Sequence, residues 1–562
     1  MRPFHAAVSS PSTINHYLHN ELCSLTSLDK TMTALLPSSQ EHVKVAATTS
    51  DADQALAILG YTNELKRSLS IWTILGLSVA IMAVPAGLSV TLYITLINGQ
   101  SVTMLWGWAF VTLVSVCTAA SLAEICAVYP TAGGPYFWSA MVSNHKHAAL
   151  ASWVTGWLNL VGNFLATTSI NFGGAQVVLA AATLWHEDYV PTAWHTILTF
   201  CAFTLLAASV NIFGVRYLNA INVAAMCWIS VSIVVLMTVL LGMAKDQRTA
   251  GFVFTNYNAS ASGWPTGWSF FVGLLQGGYV MMGYGMVASL CEEVESPHLH
   301  VPRAMVISVV VSGVLGLLYI IPVLFVLPDI GTLLAVTSNQ PVGIMFEMIT
   351  GSKPAAMGLL LLLIGIFVFC TIGATIAASR YTYAFARDGA IPGHRLWSRV
   401  NKKLAMPLWA TLLNVAVNIL LAVIYFGSSA AFNSFTGTAT ICLSTSYAIP
   451  VLISLCRSRN PVKGSTYSLE PFGFIINAVS VTWIFFSIVL FCMPVSLPVT
   501  ASSMNYSSVI FTGFAVISLV WYVVYGCRNY QGPIAIIEQD HLSGSEVHGS
   551  ATDSLPKNVN KG

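Results

Sequence analysis

Charge is the scarcest property of this chain. Only 8% of its 562 residues are Asp, Glu, Lys or Arg, whereas 56% are hydrophobic and the mean hydropathy is +0.73. A soluble domain ordinarily carries about 25% charged residues. Too little polar surface is present to cover a water-soluble body. The deficit runs through most of the length, which excludes a soluble domain on a single anchor and predicts an all-α polytopic membrane protein. The net charge of +2 says nothing about nucleic acid, and no basic cluster suits such a partner, so none is expected. A phosphate-binding P-loop is missing, which argues against an ATP-driven pump. No nucleophile–base constellation and no paired-histidine metal motif occurs in the inner loops, so neither an enzyme, a cofactor nor a metal is expected. Paired cysteines are missing too. Of eleven cysteines, nine lie in or at the edge of apolar runs, where they read as small core residues rather than a disulfide framework.

What is present is apolar runs. A helix needs about 20 such residues to cross a bilayer. Twelve runs qualify, near 70–97, 103–128, 148–182, 193–213, 219–243, 268–290, 304–327, 355–385, 407–426, 434–456, 473–492 and 507–526. The third and eighth are long enough to tilt strongly or to continue beyond the membrane. Residues 1–66 hold no signal-peptide run and, like residues 528–562, read as polar, disordered cytosolic tails flanking a membrane domain over 67–527. With the N-terminus inside, the inner loops hold eleven Lys and Arg and the outer loops three, Lys245, Arg248 and Lys353. The excess of positive charge places both termini in the cytosol. The sequon at Asn258 then lies in an outer loop, where a glycan fits, and a weaker sequon at Asn505 abuts the last span.

Two spans are built to break. The first carries Pro85 and Gly87 in mid-span, within AIMAVPAGLSV, and the sixth carries Gly277, Gly278, Gly283 and Gly285. A backbone break inside lipid survives only where it lines a cavity. The breaks lie five helices apart, the spacing of two inverted five-helix repeats whose first members are both discontinuous. Half-helix ends would then meet at the midplane. N-terminal ends offer free N–H groups to a carboxylate, and C-terminal ends offer carbonyls to an ammonium. If Gly283 and Gly285 let backbone approach a solute, a side chain there should block binding rather than unfold the chain.

At these residues the sequence resembles the amino acid–polyamine–organocation transporters, and within them the fungal amino acid/choline branch of GABA and choline permeases. The match is carried by EICAVYPTAGGPY from Glu124 to Tyr136, by the stretch from Gly283 to Ala304 with its EE and VPRA, and by RYTYAFARDGAIP from Arg380 to Pro392. YFGSSAAFNSF from Tyr425 and LPVTASSMNY from Leu497 resemble the fungal branch in particular. The resemblance implies a LeuT-like 5+5 inverted-repeat core plus two C-terminal helices. It implies substrate binding at Val84, Pro85, Ala86 and Gly87 and at Gly283, Tyr284, Gly285, Met286 and Val287. It also implies secondary active transport of a small amine-bearing solute, whether an amino acid, GABA, choline or a polyamine. H⁺ is the co-transported partner to consider, in the plasma membrane first and the vacuolar membrane second. Export of a nitrogenous metabolite on the same fold, and a non-transporting nutrient sensor, remain alternative readings.

The charged ends of the broken region read as a gate. Glu292 and Glu293, with Glu295, follow the sixth span and are expected to pair with inner-loop cations such as Arg303, Arg380 or Arg387, while Pro297 and Pro302 end the helix in a rigid turn. Glu124, a lone acid near the end of the second span, has two readings: a link to the turn at Gly133–Gly134, or a proton carrier.

Overall fold

The computed structural model describes residues 51–533, apart from 63, 66, 187–188, 337–339, 427–430 and 501–503. The expected tails thus lie largely outside the described residues. The chain divides into two compact units, residues 1–54 and a body formed by 55–562. The last few residues before the body begin a helix, Asp51–Ile58, and in the body Leu56, Tyr61 and Leu65 are buried. The end of the N-terminal segment is therefore built structure rather than a free tail.

Among the described residues, twelve helices are long and apolar enough to cross a membrane. In chain order, spans 1 to 6 are Ile71–Val90, Gln100–Val128, His145–Trp185, Ala193–Phe213, Val215–Met243 and Thr266–Glu293. Spans 7 to 12 are Pro297–Phe325, Lys353–Arg387, Leu408–Phe426, Phe432–Cys456, Gly473–Leu490 and Ser507–Asn529. No strand occurs among the described residues, only two isolated bridges. An even number of crossings returns both ends of the body to one face, called here the terminal face. Span 3 has 41 residues. At about 1.5 Å per residue it is roughly twice as long as the hydrocarbon core is thick.

The packing has the symmetry that two repeats require. Span 2 lies along span 7, and span 3 along span 8; span 3 also packs on span 10 as span 8 packs on span 5, and span 3 on span 4 as span 8 on span 9. Exchanging each span with the one five later maps this set onto itself. Spans 11 and 12 pack outside it, span 11 on spans 2 and 10 and span 12 on span 10. Where apolar contact gives no preference, buried amides and hydroxyls fix the register. Thr168 donates to Asn418 at 2.7 Å, Asn171 to Thr204 at 2.9 Å, and Thr371 to Asn171 at 2.9 Å, which ties spans 3, 9, 4 and 8 together. Small residues set the close approach of spans 2 and 7: Trp108 donates to the Gly313 carbonyl at 2.9 Å and its ring covers Gly316, where a Cβ would lie 2.2 Å from it.

One boundary differs from the sequence reading. Span 7 begins at Pro297, not near 304, so Pro297 starts a helix rather than ending one, and Pro302 lies inside that helix. Proline suits a first helical position because its missing N–H is an orphan there anyway. The reversal between spans 6 and 7 is made by Val294 in extended backbone and Ser296 at φ +49°.

Candidate functional site

Span 1 is interrupted at Ala83. Its first half, Ile71–Met82, is capped by Ser70, whose hydroxyl accepts from the Thr73 N–H, and it ends in a residue at φ +44°, ψ +46°. This left-handed conformation costs a non-glycine residue about 1–3 kcal/mol and persists only where the surroundings over-determine it. The second half, Val84–Val90, starts at once, with Pro85 in its first turn. Pro85 is therefore the residue that suits the new start, and Ala83 is the break itself. Helix ends leave orphan groups. Here they are the N–H groups of Val84 and Ala86, and the carbonyls of Ile81 and Met82, for which no backbone bond across the break is formed.

Span 6 does not unwind at its glycines. Thr266–Gly273 and Leu275–Met281 are α-helical, and Met282–Glu293 is a 3₁₀ helix of 12 residues. Such runs rarely exceed three or four residues, and a long one inside a helix marks a hinge or a stretch under strain. With three residues per turn, side chains at i and i+3 eclipse. Gly283 and Met286 thus share one face, turned toward span 1, and Tyr284 takes another. The structure sorts the expected site residues accordingly. Gly87, Gly283 and Met286 line a void with Ile81, Met82, Ala83, Ile170, Tyr279, Phe367 and Cys370. Val84, Pro85 and Ala86 are buried at the start of the second half of span 1, and Val287 is buried within span 6. Tyr284 lines a second, smaller void beside Ser115, Thr118 and Thr440. Gly285 faces span 10, where an added Cβ would lie 2.4 Å from the Tyr447 ring. Its reason to be glycine is packing, whereas Gly283 lies against Ile81 and Met82 at the void.

The void contains no charged side chain. The space open to the centre of a water molecule is about 20 Å³, room for about one water and far below the roughly 300 Å³ at which ligand pockets begin. Ile81, Met82, Ala83, Phe367 and Cys370 were outside the set expected from the sequence, whereas Tyr279 was expected as an aromatic near the break. Ile81, Met82 and Ala83 directly precede VPAG, and a breaking residue in the left-handed region could have been any of them.

Hydrogen bonds seal both faces. On the far face, Asn98 donates to Val495 O at 3.0 Å and accepts from Ser269, and Gln276 of span 6 donates to Leu88 O of span 1 at 2.9 Å. On the terminal face the start of span 1 is stitched to the end of span 6. The N–H groups of Ser68 and Leu69 donate to Glu293 O, and that of Glu295 donates to Leu69 O. Glu293, 6% exposed, pairs with fully buried Arg380 at 2.7 Å. Glu292 takes both ends of the Arg387 guanidinium, at 2.8 and 3.0 Å, and accepts from the Ala132 N–H. Arg387 stacks on Tyr61, 4.1 Å from its centroid. Asp388 accepts from the Tyr61 and Tyr136 hydroxyls. Loss of water around this carboxyl pushes its pKa up to about 6, against the opposing pull of Arg387 and both hydroxyls.

Two expectations for charged residues change. Arg303 is exposed and takes neither acid. The turn at Gly133–Gly134 is reached by Glu292, not by Glu124. Glu124 instead accepts from Arg459 at 2.5 Å and from the Leu469 N–H at 3.0 Å, so it anchors the loop between spans 10 and 11. Of the two sequons, Asn258 is exposed, while Asn505 is buried with its Nδ2 donating to Phe491 O and Met493 O.

Residues 69–516 match the family model described as amino acid permease. The chain is 32% identical to the amino-acid permease BAT1 of Arabidopsis thaliana, over 85% of this chain and 95% of the relative. It is 29% identical to the polyamine transporter TPO5 of Saccharomyces cerevisiae, over 88% of this chain and 81% of the relative. It is also 29% identical to the choline transporter of that yeast, over 85% of each chain. With twelve spans, a discontinuous first helix, a sixth helix that changes form at the same depth, and a match over most of its length, this chain belongs to the amino acid permease family and is an integral membrane protein.

Proposed function

We propose that the chain is a secondary active importer of a small amine-bearing solute, a zwitterion or a monocation, held by alternating access at the interruption of span 1. One observation carries this reading. The N–H groups of Val84 and Ala86 and the carbonyls of Ile81 and Met82 form no backbone bond across the break, and Ile81 and Met82 line an uncharged, largely apolar void. Free N–H groups suit a carboxylate and free carbonyls an ammonium. No fixed charge is available there to neutralise a second carboxylate. The names of the relatives, which specify amino acids, polyamines and choline, support an amine as the shared feature.

The remaining assignments complete the reading. The Lys and Arg excess assigns the terminal face to the cytosol of a plasma-membrane protein. The cluster of Glu292, Glu293, Arg380 and Arg387 is then an inner gate, and Asn258 is the glycan acceptor on the outer side. H⁺ is the co-transported ion we assign, acting through the gate because the void holds no titratable acid. The test is uptake of radiolabelled GABA, neutral amino acids, choline, putrescine and glutamate by permease-deficient yeast expressing the chain. Uptake of an amine that a protonophore abolishes is the expected result. Efficient uptake of glutamate alone, uncontested by the others, overturns the site reading.

A further inference from the structure

The carbonyl of Ile81 has no helical partner for a reason written in the sequence. In an α-helix it would accept from the N–H four residues on, and that residue is Pro85, which has none. Among the described residues the donor directed at it is the thiol of Cys370, from span 8, with Sγ 3.2 Å from the oxygen. Both residues line the void and both are buried. A thiol is a weak donor, so this acceptor is held by a partner that a stronger donor can displace.

We propose that Cys370 is a specificity-determining residue whose thiol keeps the Ile81 carbonyl occupied while the site is empty and yields it to an N–H of the solute's ammonium. The inference rests on the reading of the void as the solute site. Three consequences follow from the chemistry. The carbonyl is never left unpaired in a dry cavity, which would cost the desolvation of a strong acceptor. Primary and secondary ammonium groups, which carry N–H donors, gain the contact; a quaternary ammonium, which carries none, does not. Loss of the Cys370 bond on solute entry also removes one tie between span 1 and span 8, which pack on each other, so occupancy is felt between these two helices.

The test is uptake kinetics in cells expressing the full chain, normalised to surface abundance. In Cys370→Ala the solute no longer competes with the thiol, and KM for a primary amine falls about two- to tenfold, the value of one neutral hydrogen bond, with little change in kcat. Cys370→Ser, which retains a donor, holds KM at or above the wild-type value. Inhibition by choline is unchanged in Cys370→Ala. A direct readout comes from the infrared S–H stretch of the purified protein, isolated by difference against Cys370→Ser. Adding the transported primary amine should move this band to the higher frequency of a free thiol. An unchanged KM in Cys370→Ala, or a fixed S–H band at saturating amine, overturns the proposal and leaves the transport reading standing. A chain at normal abundance that carries no amine of the panel overturns both.

Discussion

At the residue scale, the charged groups divide into those that hold the fold and those placed to respond. Glu124 and Arg459 are of the first kind. They are almost wholly buried, and removing one partner of a buried pair leaves the other charge uncompensated, at about 3–5 kcal/mol. Glu124→Gln should therefore lower the melting temperature of the purified protein, and Glu124→Gln/Arg459→Gln should melt above the sum of the two single effects. A proton carrier would behave differently: Glu124→Gln would change the pH profile of uptake at unaltered stability. Asp388 is of the second kind. Its raised pKa means that the sealed terminal face binds a proton more tightly than an open one in which the carboxyl regains its ordinary value near 4. The stabilisation is complete below about pH 4 and is lost as pH rises through about 6. Between pH 7.5 and 5.5 the shift amounts to about fourfold in favour of closure. Ser289 is buried in the 3₁₀ stretch of span 6, its hydroxyl donating to Ala377 O of span 8, and thiol labelling of Ser289→Cys in inside-out vesicles should slow by that factor at pH 5.5, relative to the same variant carrying Asp388→Asn. Equal ratios at both pH values would remove Asp388 from the gate. The acids were legible in the sequence, and their partners were legible only as a set of three candidates. Arg303, Arg380 and Arg387 are chemically equivalent there, and only the facing of spans 6 and 8 selects two of them.

At the scale of elements, two interruptions were legible because proline and glycine are costly inside a membrane helix. Their form was not. Pro85 drew attention to span 1, yet the turn belongs to Ala83, two residues earlier, because proline is most comfortable just inside a helix start. In span 6 the glycines suggested a gap, whereas the chain tightens to a 3₁₀ helix and uses each glycine against a different neighbour. This ranks three substitutions. A Cβ at Gly285 meets the Tyr447 ring at 2.4 Å, and that ring is held by its hydroxyl on Met282 O. At Gly283 the Cβ meets the Ile81 methyl at 2.8 Å, and at Gly277 it meets Val111 at 3.2 Å. Overpacking of this kind costs about 1–3 kcal/mol. Gly285→Ala should lose surface abundance, Gly283→Ala should chiefly raise KM, and Gly277→Ala should be mild in both. If Gly285→Ala keeps its abundance and loses affinity, the residue returns to the solute site and Tyr447 must move with it.

At the scale of the whole molecule, hydropathy made twelve spans legible because bilayer thickness sets a length that only apolar runs satisfy. The ends of the helices escaped it, since caps and loop contacts place them: span 7 starts seven residues before its apolar run, through Pro297. Orientation is a separate question, because a helix crosses equally well in either sense. It rests on the positive charge of the loops, and that argument has a direct check. Ser262, in the loop before span 6, is fully buried with its hydroxyl donating to Ala259 O, so a probe there would report burial rather than side. Ala261 and Lys402 are exposed, on opposite faces of the bundle. In a background stripped of reactive thiols, Ala261→Cys should label with an impermeant maleimide on intact cells. Lys402→Cys should label only after permeabilisation. The reverse pattern would place the cluster of Glu292, Arg387 and Asp388 outside. Acid medium would then close the gate through which the solute enters, and the chain would have to be read as an exporter.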